Sequence, residues 1–161
     1  MHKVVQAERF ELVDSEGKVR AVLGLVDGSP ALALLDKDGE PRATLAVLPD
    51  GSPSLSLQDK AGKIRAMLAV QPNGEPALAL HDKDGEKRAV LAVLADGSPS
   101  LSLHDKDEKL RAVLSLLPDG NTGLGLHDND EKPRAVLSLL PDGTPGLGLA
   151  DKDGRVLWKA P

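Results

Sequence analysis

The sequence predicts an all-β chain, an antiparallel β-meander of about 14 short strands built from hairpin repeats of 23 residues. Three observations predict it. A central turn recurs at Asp27-Gly28, Asp50-Gly51, Asn73-Gly74, Asp96-Gly97, Asp119-Gly120 and Asp142-Gly143, each 23 residues after the last, and a fixed period of this kind marks a repeat architecture. Between turns the apolar residues alternate with period 2, as in Ser54-Leu55-Ser56-Leu57, the spacing of a strand with one apolar face. The runs are only about six or seven residues long, and Gly or Pro interrupts every connection, which favours strands over helices. Consecutive strands joined by such short turns can pair only as antiparallel hairpins.

In chain order, residues 1–7 read as a short tail and the remainder as one repeat domain within 1–161. Residues 8–19 form an N-terminal half-repeat: Phe10 and Leu12 fall where Leu32 and Leu34 stand in the second half of the first full repeat. Residues 20–154 hold six hairpins, whose first strands open at Arg20, Arg42, Arg65, Arg88, Arg111 and Arg134. Residues 155–161, with Val156, Leu157 and Trp158, are a C-terminal half-repeat of the first-strand kind. The two half-repeats sum to one complete repeat.

Register follows from turn chemistry. A three-residue loop Pro49-Asp50-Gly51, with Gly51 in the left-handed position, sets Leu45 opposite Leu55 and Ala43 opposite Leu57. In the charged turn, a two-residue Asp38-Gly39 loop sets Lys37 opposite Glu40 and Leu34 opposite Ala43. The first repeat lacks the Pro, and a two-residue Asp27-Gly28 loop sets Leu23 opposite Leu32. All three turns divide the residues between the same two faces, and this agreement across levels fixes the register.

One face is therefore built of Leu and Val. It collects Leu23, Leu25, Leu32 and Leu34 from the first hairpin, and Leu45, Val47, Leu55 and Leu57 from the second. The third and fourth contribute Leu68, Val70, Leu78, Leu80, Leu91, Val93, Leu101 and Leu103. The last two supply Leu114, Leu116, Leu124, Leu126, Leu137, Leu139, Leu147 and Leu149, with Phe10 and Trp158 at the two ends. The other face carries small residues, from Ala31 and Ala33 through Ser54 and Ser56 to Gly146 and Gly148. A strip this apolar is not left wet on a monomer.

Several arrangements cover it. Three chains with their Leu faces inward form a triangular β-prism, which suits narrow walls of short strands. A face-to-face dimer or a self-folded β-sandwich is the alternative, as is a ring closed by pairing the two half-repeats. A closed barrel of this strand number has a lumen too wide for Leu to fill. A membrane barrel needs strands of about 9–11 residues and aromatic girdles, and neither is written here. The prism is the preferred reading, with the 26 residues above as its oligomer interface.

Composition narrows function. Phe10 and Trp158 are the only aromatics, which argues against sugar clefts and base-stacking platforms. The net charge of −5, with both signs interleaved, offers no basic field to a nucleic-acid backbone. The absence of Cys excludes disulfide and thiol chemistry. The N-terminus lacks the roughly 7–15-residue apolar core of a signal peptide, and no apolar run reaches the ~20 residues of a membrane helix. The expected place is the cytoplasm or an assembled particle.

Three motifs invite chemistry. The turns Asp36-Lys37-Asp38-Gly39, Asp82-Lys83-Asp84-Gly85 and Asp151-Lys152-Asp153-Gly154 resemble calcium loops, but Ca²⁺ wants about 6–8 oxygens, commonly including a later Glu, and Asp-Gly is the expected tight-turn pair. His81, His104 and His127 form a column at a spacing of two strands, ~9.6 Å, too far apart to share one zinc ion. The register places each opposite an arginine, Arg88, Arg111 and Arg134, as a solvated polar rim. The arginine column, Arg20 to Arg134, stands among acids and is read as cross-strand pairing. With no nucleophile–base pair and no phosphate loop, the chain reads as a non-enzyme with no metal or cofactor.

The element Leu12-Val13-Asp14-Ser15-Glu16-Gly17-Lys18-Val19-Arg20-Ala21, a Leu-x-Asp-x-x-Gly-x-x-Arg-Ala pattern, resembles strings of hairpins in uncharacterised bacterial hairpin-repeat proteins. Those often close with a Gly-x-Val-x-Trp segment such as Gly154-Arg155-Val156-Leu157-Trp158. The Asp-x-x-Gly-x-x-Arg core is also distantly similar to Rhs/YD repeats, without their repeat tyrosine. The resemblance implies the hairpin-repeat fold and no activity. The function expected is that of a self-associating shaft, spacer or scaffold whose partner is itself, most simply as a trimer. The alternative is a binding module that presents a flat β surface to a protein partner.

Overall fold

The computed structural model describes residues 3–26 and 28–160. They form one open antiparallel sheet of 14 strands in strict sequence order. The N-terminal half-repeat gives β1 (Arg9–Val13), and the first halves of the six repeats give β2 (Val19–Val26), β4 (Pro41–Val47), β6 (Ile64–Val70), β8 (Lys87–Val93), β10 (Leu110–Leu116) and β12 (Pro133–Leu139). Their second halves are β3 (Ser29–Leu35), β5 (Pro53–Gln58), β7 (Pro76–His81), β9 (Pro99–His104), β11 (Thr122–His127) and β13 (Pro145–Ala150), and β14 (Val156–Ala160) completes the sheet.

The register of the strand bodies matches the turn argument. Leu45 stands opposite Leu55 and Ala43 opposite Leu57. Leu23 stands opposite Leu32, Phe10 opposite Leu23 and Trp158 opposite Leu149. In the Pro-Asp-Gly turn, the Leu48 N–H donates to the Ser52 carbonyl at 2.8 Å and the Gly51 N–H returns to the Leu48 carbonyl at 2.8 Å. Gly51 has φ 85°, the left-handed conformation that a side chain disfavours. In the first hairpin Val26 pairs with Ser29, which leaves two loop positions; Asp27, one of them, lies outside the described residues.

The charged turn differs from the expectation. It is not a two-residue Asp38-Gly39 loop with Lys37 opposite Glu40. The Asp36 N–H donates to the Glu40 carbonyl at 2.9 Å and the Gly39 N–H to the Asp36 carbonyl at 3.2 Å, so the loop has three residues, Lys37, Asp38 and Gly39. The body register survives because a bulge absorbs the extra residue: Leu34 pairs with Ala43 but Leu35 with Pro41. The residue left over is Arg42. The same bulge recurs after every charged turn and ejects Arg20, Arg65, Arg88, Arg111 and Arg134 in turn. The wider loop is favoured because the Asp36 carboxylate then accepts the N–H groups of Asp38 and Glu40, at 2.8 and 3.1 Å.

The sheet has no second layer. Among the described residues each strand packs only against its sequence neighbours, so the chain neither folds back into a sandwich nor closes β14 onto β1. Among the described residues, the only buried hydrophobic one is Ala31. The accessible surface is 11088 Å², whereas a folded monomer of this mass exposes about 7,700 Å². The excess, about 3,400 Å², is the signature of a single layer with both faces uncovered. No helix of the described residues is long and apolar enough to cross a membrane.

Candidate functional site

The Leu face is the largest chemical feature of the molecule. Alternation along each strand and in-register pairing across strands bring like to like: Leu55 lies between Leu45 and Leu68, and Leu78 between Leu68 and Leu91. Rows of Leu thus run across the whole sheet. Leu45, Leu68, Leu91 and Leu137 are each more than half exposed, at 51–53%. Fourteen strands at ~4.8 Å, each about 20–24 Å long, give the face an extent of roughly 1,300–1,500 Å². That is well above the largest apolar patch of an ordinary monomer, about 300–600 Å². The structure brings every sequence-predicted interface residue onto this one face of the sheet through the pairing above, and Phe10 and Trp158 stand at its two ends.

Shallow depressions repeat along it. One is lined by Leu68, Pro76, Leu78, Leu91, Val93 and Pro99, and a neighbour by Leu91, Pro99, Leu101, Leu114, Leu116 and Thr122. A third, near the N-terminus, is lined by Leu23, Pro30, Leu32, Leu45, Val47 and Pro53. Each lies beside a proline at or next to the start of a second-half strand.

The opposite margin is polar and locked. Each bulged arginine turns back to the aspartate six residues earlier: Arg20 to Asp14 at 3.3 Å, Arg65 to Asp59 at 3.2 Å, Arg111 to Asp105 at 2.7 Å and Arg134 to Asp128 at 2.5 Å. Arg42 and Arg88 pair likewise with Asp36 and Asp82. The same guanidinium groups reach the next repeat. Arg42, Arg88 and Arg134 donate to the carbonyls of Asp59, Asp105 and Asp151, and Arg65 donates to that of His81 at 3.1 Å. From the Asp36 turn to the Asp128 turn, each charged turn is thus tied to the one after it, with Arg111 reaching the His127 carbonyl at 3.5 Å and Asn129 Oδ1. Among the described residues, Arg20 bonds only Asp14.

These bonds set the carboxylate charge. For Asp128 the leading influence is the Lys132 N–H, opposed by desolvation and reinforced by Arg134 and the Asp130 N–H, and the carboxyl is held down at about 2. At Asp36 desolvation is the largest influence and pushes upward. The N–H groups of Glu40 and Asp38 and the Arg42 guanidinium outweigh it, so the carboxyl lies below the usual range. Asp59, Asp82 and Asp105 behave in the same way. Both oxygens of the first aspartate in these turns are thus engaged by N–H donors. Among the described residues, no three acidic or imidazole groups converge on a common point.

The histidine column stands on this margin, but not opposite the arginines as the sequence suggested. His81 pairs with Lys87, His104 with Leu110 and His127 with Pro133, because the bulge takes the arginine out of the ladder. His104 Nδ1 lies 3.0 Å from the Glu108 carbonyl oxygen and Nε2 3.0 Å from Ser102 Oγ. A carbonyl can only accept, so Nδ1 donates to it.

Two further residues were not anticipated. Glu108 and Glu131 stand where other charged turns have Gly, at φ 58° and 60°. Their carboxylates accept the N–H groups of Lys87 and Leu110, the first residues of β8 and β10 after the preceding charged turn, at 3.0 and 2.8 Å. The departure from Gly at a position that favours it was the available signal.

No family model and no curated protein matches the sequence. Among solved structures, the sheet is similar to the TCP domain of SAS-4 (dCPAP) of Drosophila melanogaster, determined in complex with a proline-rich motif of Ana2 (dSTIL). The identity is 12% and the TM-score 0.36, over 91% of this chain and 93% of that one.

Proposed function

We propose that the chain is a non-enzymatic structural protein, a β-repeat shaft or scaffold element that assembles through its Leu face, most simply as three chains with those faces inward. The observation that carries this reading is the uncovered apolar strip on a single-layer sheet. Stable interfaces bury about 800 Å² per partner, and the strip exceeds that. Near-uniform repeats support the reading further, since a ligand site would set one repeat apart, whereas the interior departures are mild, as at Glu108 and Glu131, and the special caps Phe10 and Trp158 stand at the two ends. The first aspartates of the charged turns are engaged by arginine and backbone donors, which suits a structural margin.

The absolute mass in solution tests it. Light scattering behind a sizing column should return about three times 16.9 kDa. A dimer mass would replace the prism by two sheets face to face. A monomer that holds its far-UV β signal would overturn self-assembly in favour of a module that presents the strip, with its repeating depressions, to a different protein.

A further inference from the structure

Among the described residues the sheet has two edges, β1 and β14, each paired on one side only. An open edge presents unpaired N–H and C=O groups and is commonly guarded by charge or proline. These two edges carry charge at Arg9, Glu11 and Lys159, but beside it they expose apolar residues, with Leu12 at 64%, Val156 at 65% and Leu157 at 68%. β1 is a second-half strand and β14 a first-half strand. In every repeat a first-half strand pairs with the second-half strand that follows it, in one fixed register that sets Ala43 opposite Leu57. Trp158 occupies the position of Ala43, since each faces the Leu two residues before the first Asp of its charged turn. Leu12 occupies that of Leu57 by the same test.

Carried across the edges, this register sets Trp158 against Leu12, Lys159 against Glu11, Ala160 against Phe10 and Leu157 against Val13. Each pair is complementary where the interior repeats hold something else. Lys159 and Glu11 replace the neutral pair Thr44 and Ser56. The bulkiest residue of β1, Phe10, meets the smallest of β14, Ala160. At the bulge, where six earlier repeats hold arginine, stands Leu157, and it meets Val13, where four of those repeats hold Gln58, His81, His104 and His127. Lys159 forms no ion pair among the described residues, while Glu11 lies beside Arg9 on its own strand at 2.6 Å.

We infer that β14 of one copy pairs with β1 of a second copy, so that the meander runs on from chain to chain. The contact is heterologous, head to tail, and it propagates rather than closing on itself. It is separate from the Leu-face assembly, since it uses the edges and not a face.

Charge reversal tests it. Glu11→Lys or Lys159→Glu sets like charges opposite each other and should weaken end-to-end association roughly tenfold. The double reversal should restore it to within about threefold. Sedimentation in the Leu68→Asp background reads this step apart from the Leu-face contact, because Leu68 lies in β6, remote from both edges. The native chain has no Cys, so a second measurement can be made without that substitution. Glu11→Cys and Lys159→Cys chains, differing in mass by a tag, are mixed and oxidised. A mixed disulfide above the level given by Ser56→Cys with Lys159→Cys is expected. A double reversal no better than the single ones, or cross-linking at the control level, would overturn the inference. So would a disulfide that forms within one chain of the double cysteine variant at high dilution.

Discussion

Leu68→Asp probes the proposed Leu-face assembly most directly. Leu68 lies mid-sheet, opposite Leu55 on one side and Leu78 on the other, and it is 51% exposed in the single chain. Fully burying a Leu side chain is worth about 1.5–3 kcal/mol, so covering the exposed half contributes about 1 kcal/mol per chain. In a threefold assembly the three copies stand at one level, and losing them costs about 3 kcal/mol, or roughly a hundredfold in association. An unpaired carboxylate buried in their place adds a desolvation cost of several kcal/mol. Assembly at micromolar concentration should then be lost. Ser56→Asp is the control: Ser56 faces the other way, between Thr44 and Met67, and the variant should keep the native mass. Light scattering reads the mass and far-UV circular dichroism confirms the sheet. Equal loss of mass in both variants would refute the assignment of faces.

The remaining predictions concern the polar margin. Asp128 is held at about 2 in the folded chain against about 3.9 when unfolded. A depressed carboxyl stabilises the fold above the unfolded value, and that contribution fades as pH falls from about 4 towards 2. Asp14, Asp36, Asp59, Asp82 and Asp105 shift in the same direction, so the urea midpoint should drop steeply over this window; a flat profile would contradict the bonding described. Arg88→Met removes the links to Asp82 and to the Asp105 carbonyl and should lower the thermal midpoint by roughly a few degrees. Lys83→Ala, which removes an exposed pair with Asp84, should leave it unchanged within error. Glu108→Gly and Glu108→Ala both lose the bond to the Lys87 N–H, but only Ala keeps the left-handed strain at φ 58°. The Gly variant should be the more stable by about 1 kcal/mol on chemical denaturation.

Strand order, face assignment and body register were legible because period, alternation and turn length agree on them. A 23-residue repeat with alternating Leu leaves one antiparallel register that keeps Leu45, Leu55 and Leu68 on a common face. The form of the charged turn was not legible, since a two-residue loop and a three-residue loop with a bulge give the same pairing of Leu34 with Ala43. Only the Asp36 carboxylate, which gathers the N–H groups of Asp38 and Glu40, distinguishes them. The histidines were misplaced by one position for the same reason. The arginine stitches were half visible: the six-residue spacing from Asp36 to Arg42 is written in the chain, whereas the reach to the Asp59 carbonyl depends on how adjacent hairpins lie.

Because each strand touches only its neighbours, the length of the molecule is set in whole steps. Adding or deleting one 23-residue unit changes the ribbon by two strands, ~9.6 Å, and leaves every other pairing as it was. Few folds allow this, since a shared core would have to be repacked at each change. Here the gene can act as a ruler graduated in hairpins.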